Sequence, residues 1–193
     1  MADLTRAQAK TILYNLGWRV NTNARLTQAI KDFQAGWNLG AALSVDGSLG
    51  PKTSAALRLS EARRRAGRTT ASANYSFRTV RCRCDGKYAS CRRIFQKRKA
   101  FQMMEKFRTH AGNYSVVSAC RCPSRNKAIG GSPTSRHVSG LACDVPAVYS
   151  VAKVKSWKLA THIGYGSVSK KVKHIDMGAG GSVTSPVVYK DGR

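Results

Sequence analysis

The sequence predicts an α+β protein in two parts: a small N-terminal bundle of three helices, and a larger domain mixing helices with short strands. Three observations carry this reading. Apolar residues recur at helical spacing through residues 1–65. A small, polar stretch without periodicity, GRTTASANYS, follows at 67–76. Beyond it, segments run as helix, strand, loop, helix, strand. The boundaries read from this are a helical domain at 1–66, a linker at 67–76 and an α+β domain at 77–193. The 193 residues, 42 % of them apolar, have room for two small cores.

In the first segment Ala9, Ile12, Leu13 and Leu16 share one helical face, Thr5 caps the start and Gly17 stops it. In the second, Leu26, Ile30, Phe33 and Trp37 form the stripe, with Thr27 placed to cap. Asp46-Gly47 is a turn dipeptide, and Gly50-Pro51 opens a third helix whose first turn tolerates proline. After the linker, Ile94, Phe101, Met104 and Phe107 mark a helix ended at Gly112, with Met103 and Met104 as core fill. His110, near that end, suits a helix C-terminal cation. YSVVSAC, short and β-branched, predicts a strand. KVKHIDMG predicts another, with Val172, His174 and Asp176 on one face and Ile175 on the other.

Lys and Arg total 34 against 9 acids, a formal charge of +25. Residues 58–108 alone hold 16 basic residues and only Glu61, Asp85 and Glu105. Such a surplus suits an anionic partner: nucleic acid, an anionic membrane or a bacterial envelope polymer. The basic middle with Phe77, Tyr88 and Phe95 fits a nucleic-acid binder, yet nothing around it resembles a nucleic-acid-binding fold, so no such partner is expected. No run approaches the roughly 20 apolar residues of a membrane-spanning helix. The start, MADLTRAQAK, lacks a basic-then-apolar leader, so no Sec-type signal is expected.

Six cysteines lie at 82, 84, 91, 120, 122 and 143. Their spacing lacks the paired C-x2-C of zinc ribbons, and they read as reduced, buried or half-buried thiols, with a later disulfide left open.

The acids are more telling. Between Glu105 and Asp191 there are only Asp144 and Asp176, each close to a histidine: His137-x6-Asp144 and His174-x-Asp176. Carboxylates kept beside histidines in a basic domain point to metal ligation or proton transfer, and two histidines with a carboxylate are a common ligand set for catalytic zinc.

Two resemblances join these patterns. Phe33-Gln34, Asp46-Gly47, Gly50-Pro51-Lys52-Thr53 and Ala56-Leu57 resemble the peptidoglycan-binding domain of cell-wall hydrolases, over about residues 8–60. That likeness implies a wall contact involving Phe33, Trp37, Asp46 and Gly47. The second spans about residues 75–180. Ser135, His137, Gly140, Ala142 and Asp144 match Ser-x-His-x-x-Gly-x-Ala-x-Asp, preceded by Arg121, Asn126 and Gly130-Gly131 and followed by Gly164-Tyr165 and His174-Ile175-Asp176. This resembles the M15 zinc peptidases, which include D-Ala-D-Ala carboxypeptidases and phage endolysins, and implies a Hedgehog-like α+β domain.

The M15 resemblance implies one zinc per chain held by His137, Asp144 and His174, with Arg121 on the substrate and the oxyanion. Ser135, Tyr165 and Asn126 are the further expected substrate contacts. Several relatives carry an acid three residues before the last ligand, where this chain has Lys171. Asp176 is then the expected base, with a positioning role as its alternative and His162 as a second candidate. Cys143 adjoins Asp144 but points away from it on a strand, so it is not counted as a ligand.

Together these imply a monomeric peptidoglycan hydrolase, a phage endolysin held in the host cytoplasm until holin-dependent release and drawn by charge to anionic envelope polymers. The alternative is a bacterial D,D-carboxypeptidase or wall-remodelling enzyme.

Overall fold

The computed structural model describes residues 2–191. Three helices open the chain: α1 (Arg6–Leu16), α2 (Asn23–Gly36) and α3 (Pro51–Arg65). Thr5 caps α1 in a reciprocal capping box with Gln8, and Gly17 ends it at φ +114°. Helix α2 starts five residues earlier than Thr27 suggested. Thr22 caps it by accepting from the Arg25 amide, and Thr27 lies within the helix. Gly50 and Pro51 open α3 as read.

A 3₁₀ turn (Phe77–Val80) then leads into a long irregular stretch and α4 (Arg98–Ala111), ended at Gly112. Ile94 is buried but precedes the helix. Lys97 holds extended backbone there, its amide bonded to the Gly140 carbonyl at 2.8 Å, so winding begins only at Arg98. Helices α5 (Pro123–Ala128) and α6 (Val151–Ser156) are short.

Four strands form one sheet in the order β1-β3-β2-β4: β1 (Ala142–Asp144), β2 (His162–Gly166), β3 (Val172–Asp176) and β4 (Val187–Asp191). Strand β3 pairs antiparallel with β1 and β2, and β4 runs parallel to β2. YSVVSAC is extended but is not a strand of this sheet. It meets β1 at one bridge, Ser118 to Asp144.

The N-terminal helices and the sheet-bearing part share one apolar core. Phe77 joins them, its ring 4.7 Å from Trp18, 5.3 Å from Phe33 and 5.9 Å from Phe101. Trp18 Nε1 donates to the Ile94 carbonyl at 2.9 Å and Arg98 Nη1 to the Trp37 carbonyl at 2.7 Å. The 67–76 connection is small and polar, yet packed. Thr70, Ala71, Ser72 and Tyr75 are buried, and Glu105 accepts hydrogen bonds from Ser72 and Asn74. His110 stacks on Trp157 at 5.2 Å, and Met103 and Met104 are core residues.

Candidate metal centre and active site

Strand pairing assembles the site. Asp144 of β1 lies directly across from His174 of β3, and Ala142 across from Asp176. The period of two in β3 sends His174 and Asp176 to the same side. His137 reaches them from the loop before β1. That loop is fixed at Gly140 (φ +73°), where a Cβ would sit 2.0 Å from the Phe95 carbonyl oxygen, so only glycine fits.

Three atoms converge. His137 Nε2 lies 2.9 Å from Asp144 Oδ1 and 3.0 Å from His174 Nδ1, and His174 Nδ1 lies 2.9 Å from the same carboxylate oxygen. The far side of each ring sets its tautomer. His137 Nδ1 faces the Ala119 carbonyl at 2.6 Å, so it carries the proton and leaves Nε2 with a lone pair. His174 Nε2 faces Asp176 Oδ2 at 3.1 Å, which leaves the lone pair on Nδ1. Two nitrogen lone pairs and a carboxylate oxygen thus point at one another. Shared protons or a cation at the centre relieve the repulsion in that arrangement, and His137, Asp144 and His174 are a group able to bind a metal.

Titration separates the two histidines: without an ion His137 favours its neutral form, whereas His174 favours the proton that a bound metal would displace. Burial dominates at His137 and pushes its pKa down, keeping the ring neutral as a ligand must be. At His174 burial again opposes charge, but the hydrogen bonds to Asp144 and Asp176 outweigh it and raise the pKa. At Asp144 burial favours the neutral acid, and the bonds from the two histidines overcome it, holding the carboxyl well below the usual range.

Around the centre, each sequence-predicted residue has a definite place. Arg121 is buried. Its Nη2 donates to Asp144 Oδ2 at 2.6 Å and to Ser118 Oγ at 3.2 Å, while Nη1 approaches Asn126 Oδ1 at 3.4 Å. Asn126 is buried behind it and donates to the Ser132 carbonyl at 2.7 Å, so it positions Arg121 from outside the cleft. Both Asp176 oxygens are engaged: Oδ2 by His174, and Oδ1 by the Gly178 amide at 2.7 Å and His162 Nδ1 at 3.2 Å. A cleft of about 490 Å³ opens over these groups, lined by Arg121, Ser135, Arg136, His162, Asp176 and Tyr189 among others. Tyr165 is not among the lining residues. Cys143 is fully buried, its Sγ directed to the Asp144 carbonyl.

The sequence reading missed Ser118, Arg136 and Tyr189. Tyr189 comes from β4, whose parallel pairing with β2 leaves no local mark in the sequence, and its ring lies 6.0 Å from that of His174. The Ala119 carbonyl and Gly178 amide are backbone groups, which residue identity does not reveal.

In the N-terminal bundle, Phe33 is fully buried and Trp37 is 4 % exposed, so their rings serve the core rather than a ligand. The spaced motif there is a hydrogen-bonded unit centred on Gln34. Its Nε2 donates to Asp46 Oδ1 at 2.8 Å, the Ser48 carbonyl at 3.0 Å and Thr53 Oγ at 3.1 Å, and its Oε1 accepts from the Gly47 amide at 2.9 Å. Gly47 holds φ +83° in that turn. A separate groove of about 470 Å³ lies between α1 and α3, lined by Leu4, Ile12, Arg58, Glu61, Ala62 and Arg65 among others.

No helix among the described residues is long and apolar enough to cross a membrane. No curated protein matches the chain. The family model described as Peptidase M15 matches residues 73–176, more than half of the chain and the whole of the His-Asp-His centre. The chain belongs to the peptidase M15 family.

Proposed function

We propose that the protein is a zinc-dependent peptidoglycan peptidase, acting as a phage endolysin that cleaves a peptide bond of the wall stem peptide or its cross-link. The observation that carries this is the convergence of His137 Nε2, His174 Nδ1 and Asp144 Oδ1 beneath the cleft, inside the M15-matched region. His137, Asp144 and His174 would hold the ion. When bound, zinc supplies a Lewis acid that polarises a scissile carbonyl and brings the pKa of water to about 7.

The chain's own residues do the rest. Arg121 is a fixed cation at the cleft, held by Asp144, Ser118 and Asn126, and is placed to stabilise negative charge developing on the carbonyl oxygen. His162 is the proton carrier. Its Nδ1 lies 3.0 Å from Thr161 Oγ1 and 3.2 Å from Asp176 Oδ1, and its ring lines the cleft, where Nε2 is placed to take a proton. Asp176 aligns both His162 and His174 and so acts through them. Arg136 and Lys190 add positive charge to the cleft lining, matching the carboxylates of a stem peptide.

The N-terminal bundle is the wall-attachment module in this reading. Its contact surface is built from exposed residues, with the α1–α3 groove as the concave candidate, since Phe33 and Trp37 are interior. The +25 charge draws the chain to anionic envelope polymers. Host-cytoplasmic accumulation before holin-dependent release belongs to the same proposal.

Mass spectrometry of fragments released from purified peptidoglycan tests it. New amino termini within the peptide, with intact glycan, are expected. Release of terminal D-Ala alone would replace the endolysin reading with a D,D-carboxypeptidase, and new glycan ends without new amino termini would refute peptidase action.

A further inference from the structure

We infer that Cys82, Cys84, Cys91 and Cys122 form a second, structural zinc site, separate from the His-Asp-His centre. The four Sγ atoms lie within 4.8 Å of one another, and all four residues are buried. Tetrahedral Zn–S bonds of about 2.3 Å place ligand sulfurs about 3.8 Å apart, which four sulfurs gathered this closely can adopt around one ion. The Cys84 and Cys122 sulfurs are already 4.0 Å apart.

The surroundings are those of metal-bound thiolates. The Cys122 amide donates to Cys82 Sγ at 3.3 Å and the Arg93 amide to Cys91 Sγ at 3.3 Å, orienting the sulfurs as outer-sphere partners do. A zinc tetrathiolate carries a net charge of −2, and the stretch that supplies three of the ligands is strongly basic, with Arg81, Arg83, Lys87, Arg92 and Arg93. The remaining two cysteines are occupied elsewhere: Cys120 Sγ with Gln96 and Phe95, Cys143 Sγ with the Asp144 carbonyl.

The cluster also answers a folding question. Residues 81–97 contain no strand and no α-helix, yet Cys82, Cys84 and Cys91 are fixed in the interior. Their apolar cluster consists of the four cysteines and a half-buried Tyr88 and is separate from the main core. Ile94 and Phe95 anchor the end of this stretch in the interior, but so small a cysteine group buries too little carbon to order residues 81–93, and an ion joining four side chains supplies what packing does not. The bound form releases up to four thiol protons to solvent and involves no redox change. Zinc is favoured over ferrous iron by intrinsic affinity, and an iron–sulfur cluster would need the sulfurs spread around several irons.

Cys122 directly precedes the first residue of α5 and directly follows Arg121. The same ion therefore anchors the backbone that carries the buried cleft arginine.

The test uses the full-length protein purified under reducing conditions. Metal analysis should find one zinc that survives His137→Ala and is lost in Cys91→Ser and in Cys122→Ser. Because those serine variants could fail to fold, cobalt replacement in the wild type is the second measurement. The His-Asp-His centre has no sulfur ligand, so an intense near-ultraviolet thiolate-to-cobalt charge-transfer band reports the cysteine site alone. That band, with four thiols alkylated only after denaturation and chelation, is the expected result. Its absence would overturn the inference, as would iron in place of zinc or a disulfide between any two of the four cysteines in the mass of the purified protein. None of these outcomes bears on peptidase action, which is read separately.

Discussion

The His137–Asp144–His174 centre and the four-cysteine cluster are built on opposite kinds of backbone. Asp144 and His174 face each other across paired strands, so sheet register brings these two ligands together before any ion arrives, and His137 joins them from the loop fixed at Gly140. Cys82, Cys84 and Cys91 lie on an irregular loop, and Cys122 joins them from more than thirty residues away. A centre placed on strands can lose its ion and keep its shape. A cluster placed on loops depends more on its ion for shape, because among the described residues only Tyr88 packs against its sulfurs.

That contrast is open to attack from several directions, beginning with the largest effect. His137→Ala should bring wall-peptide cleavage to background while changing the melting temperature by only a few degrees. Large unfolding in this variant would mean that the centre is structural as well. Cys91→Ser should do the reverse in stability, lowering Tm by on the order of 10 °C, as follows from several kcal/mol lost in a chain of this size. A melting curve that overlays the wild type would remove the distinction between the two sites.

Asp176→Asn sharpens the comparison at the strand-built centre. The amide keeps the shape but weakens the hold on His174 Nε2 and His162 Nδ1. Zinc affinity should fall about 10–100-fold, typical for loss of a carboxylate behind a metal-binding histidine. Unchanged zinc affinity with activity abolished would instead make Asp176 the base itself.

The smallest effect concerns how the cysteine loop is held to the N-terminal helices. Asp32 of α2 accepts from Arg92 of that loop at 3.1 Å and from Gln28 at 3.1 Å. Burial, opposed by Arg92, pushes its carboxyl up to about 6. A raised acid pKa means that the folded state binds more protons than the unfolded state between about pH 4 and 6. Stability therefore falls as pH rises through that window and stays lower above it, by at most about 3 kcal/mol. Asp32→Asn should flatten this part of the stability curve and gain about 1–2 kcal/mol at pH 8. Parallel curves for variant and wild type would show that Asp32 does not titrate in this way.

What was legible in the sequence followed the length scale of the signal. Thr5, Gly17 and Gly50-Pro51 mark helix ends through contacts a few residues long, and all three mark the observed ends. His137, Asp144 and His174 stood out because carboxylates are scarce in that basic region, and the structure brings them together. Phe33 and Trp37 show the limit: an aromatic stripe at helical spacing reads the same whether its outer members meet a ligand or a second layer of protein, and here Phe77 covers Phe33 from the next segment. The cysteine cluster was hidden for a related reason. Its fourth ligand is distant in sequence, and the C-x-C pairs do not resemble familiar zinc spacings. Tyr189 was invisible because β4 reaches the sheet by a parallel pairing that only the fold sets.

The central claim is that His137, Asp144 and His174 hold the ion on which peptide cleavage depends. The most direct measurement pairs zinc content with new amino termini released from purified peptidoglycan, in the wild type and in His137→Ala. The account predicts that the variant loses one zinc equivalent and all cleavage together, while the zinc at the cysteines remains. Cleavage that persists after that zinc is gone would contradict it.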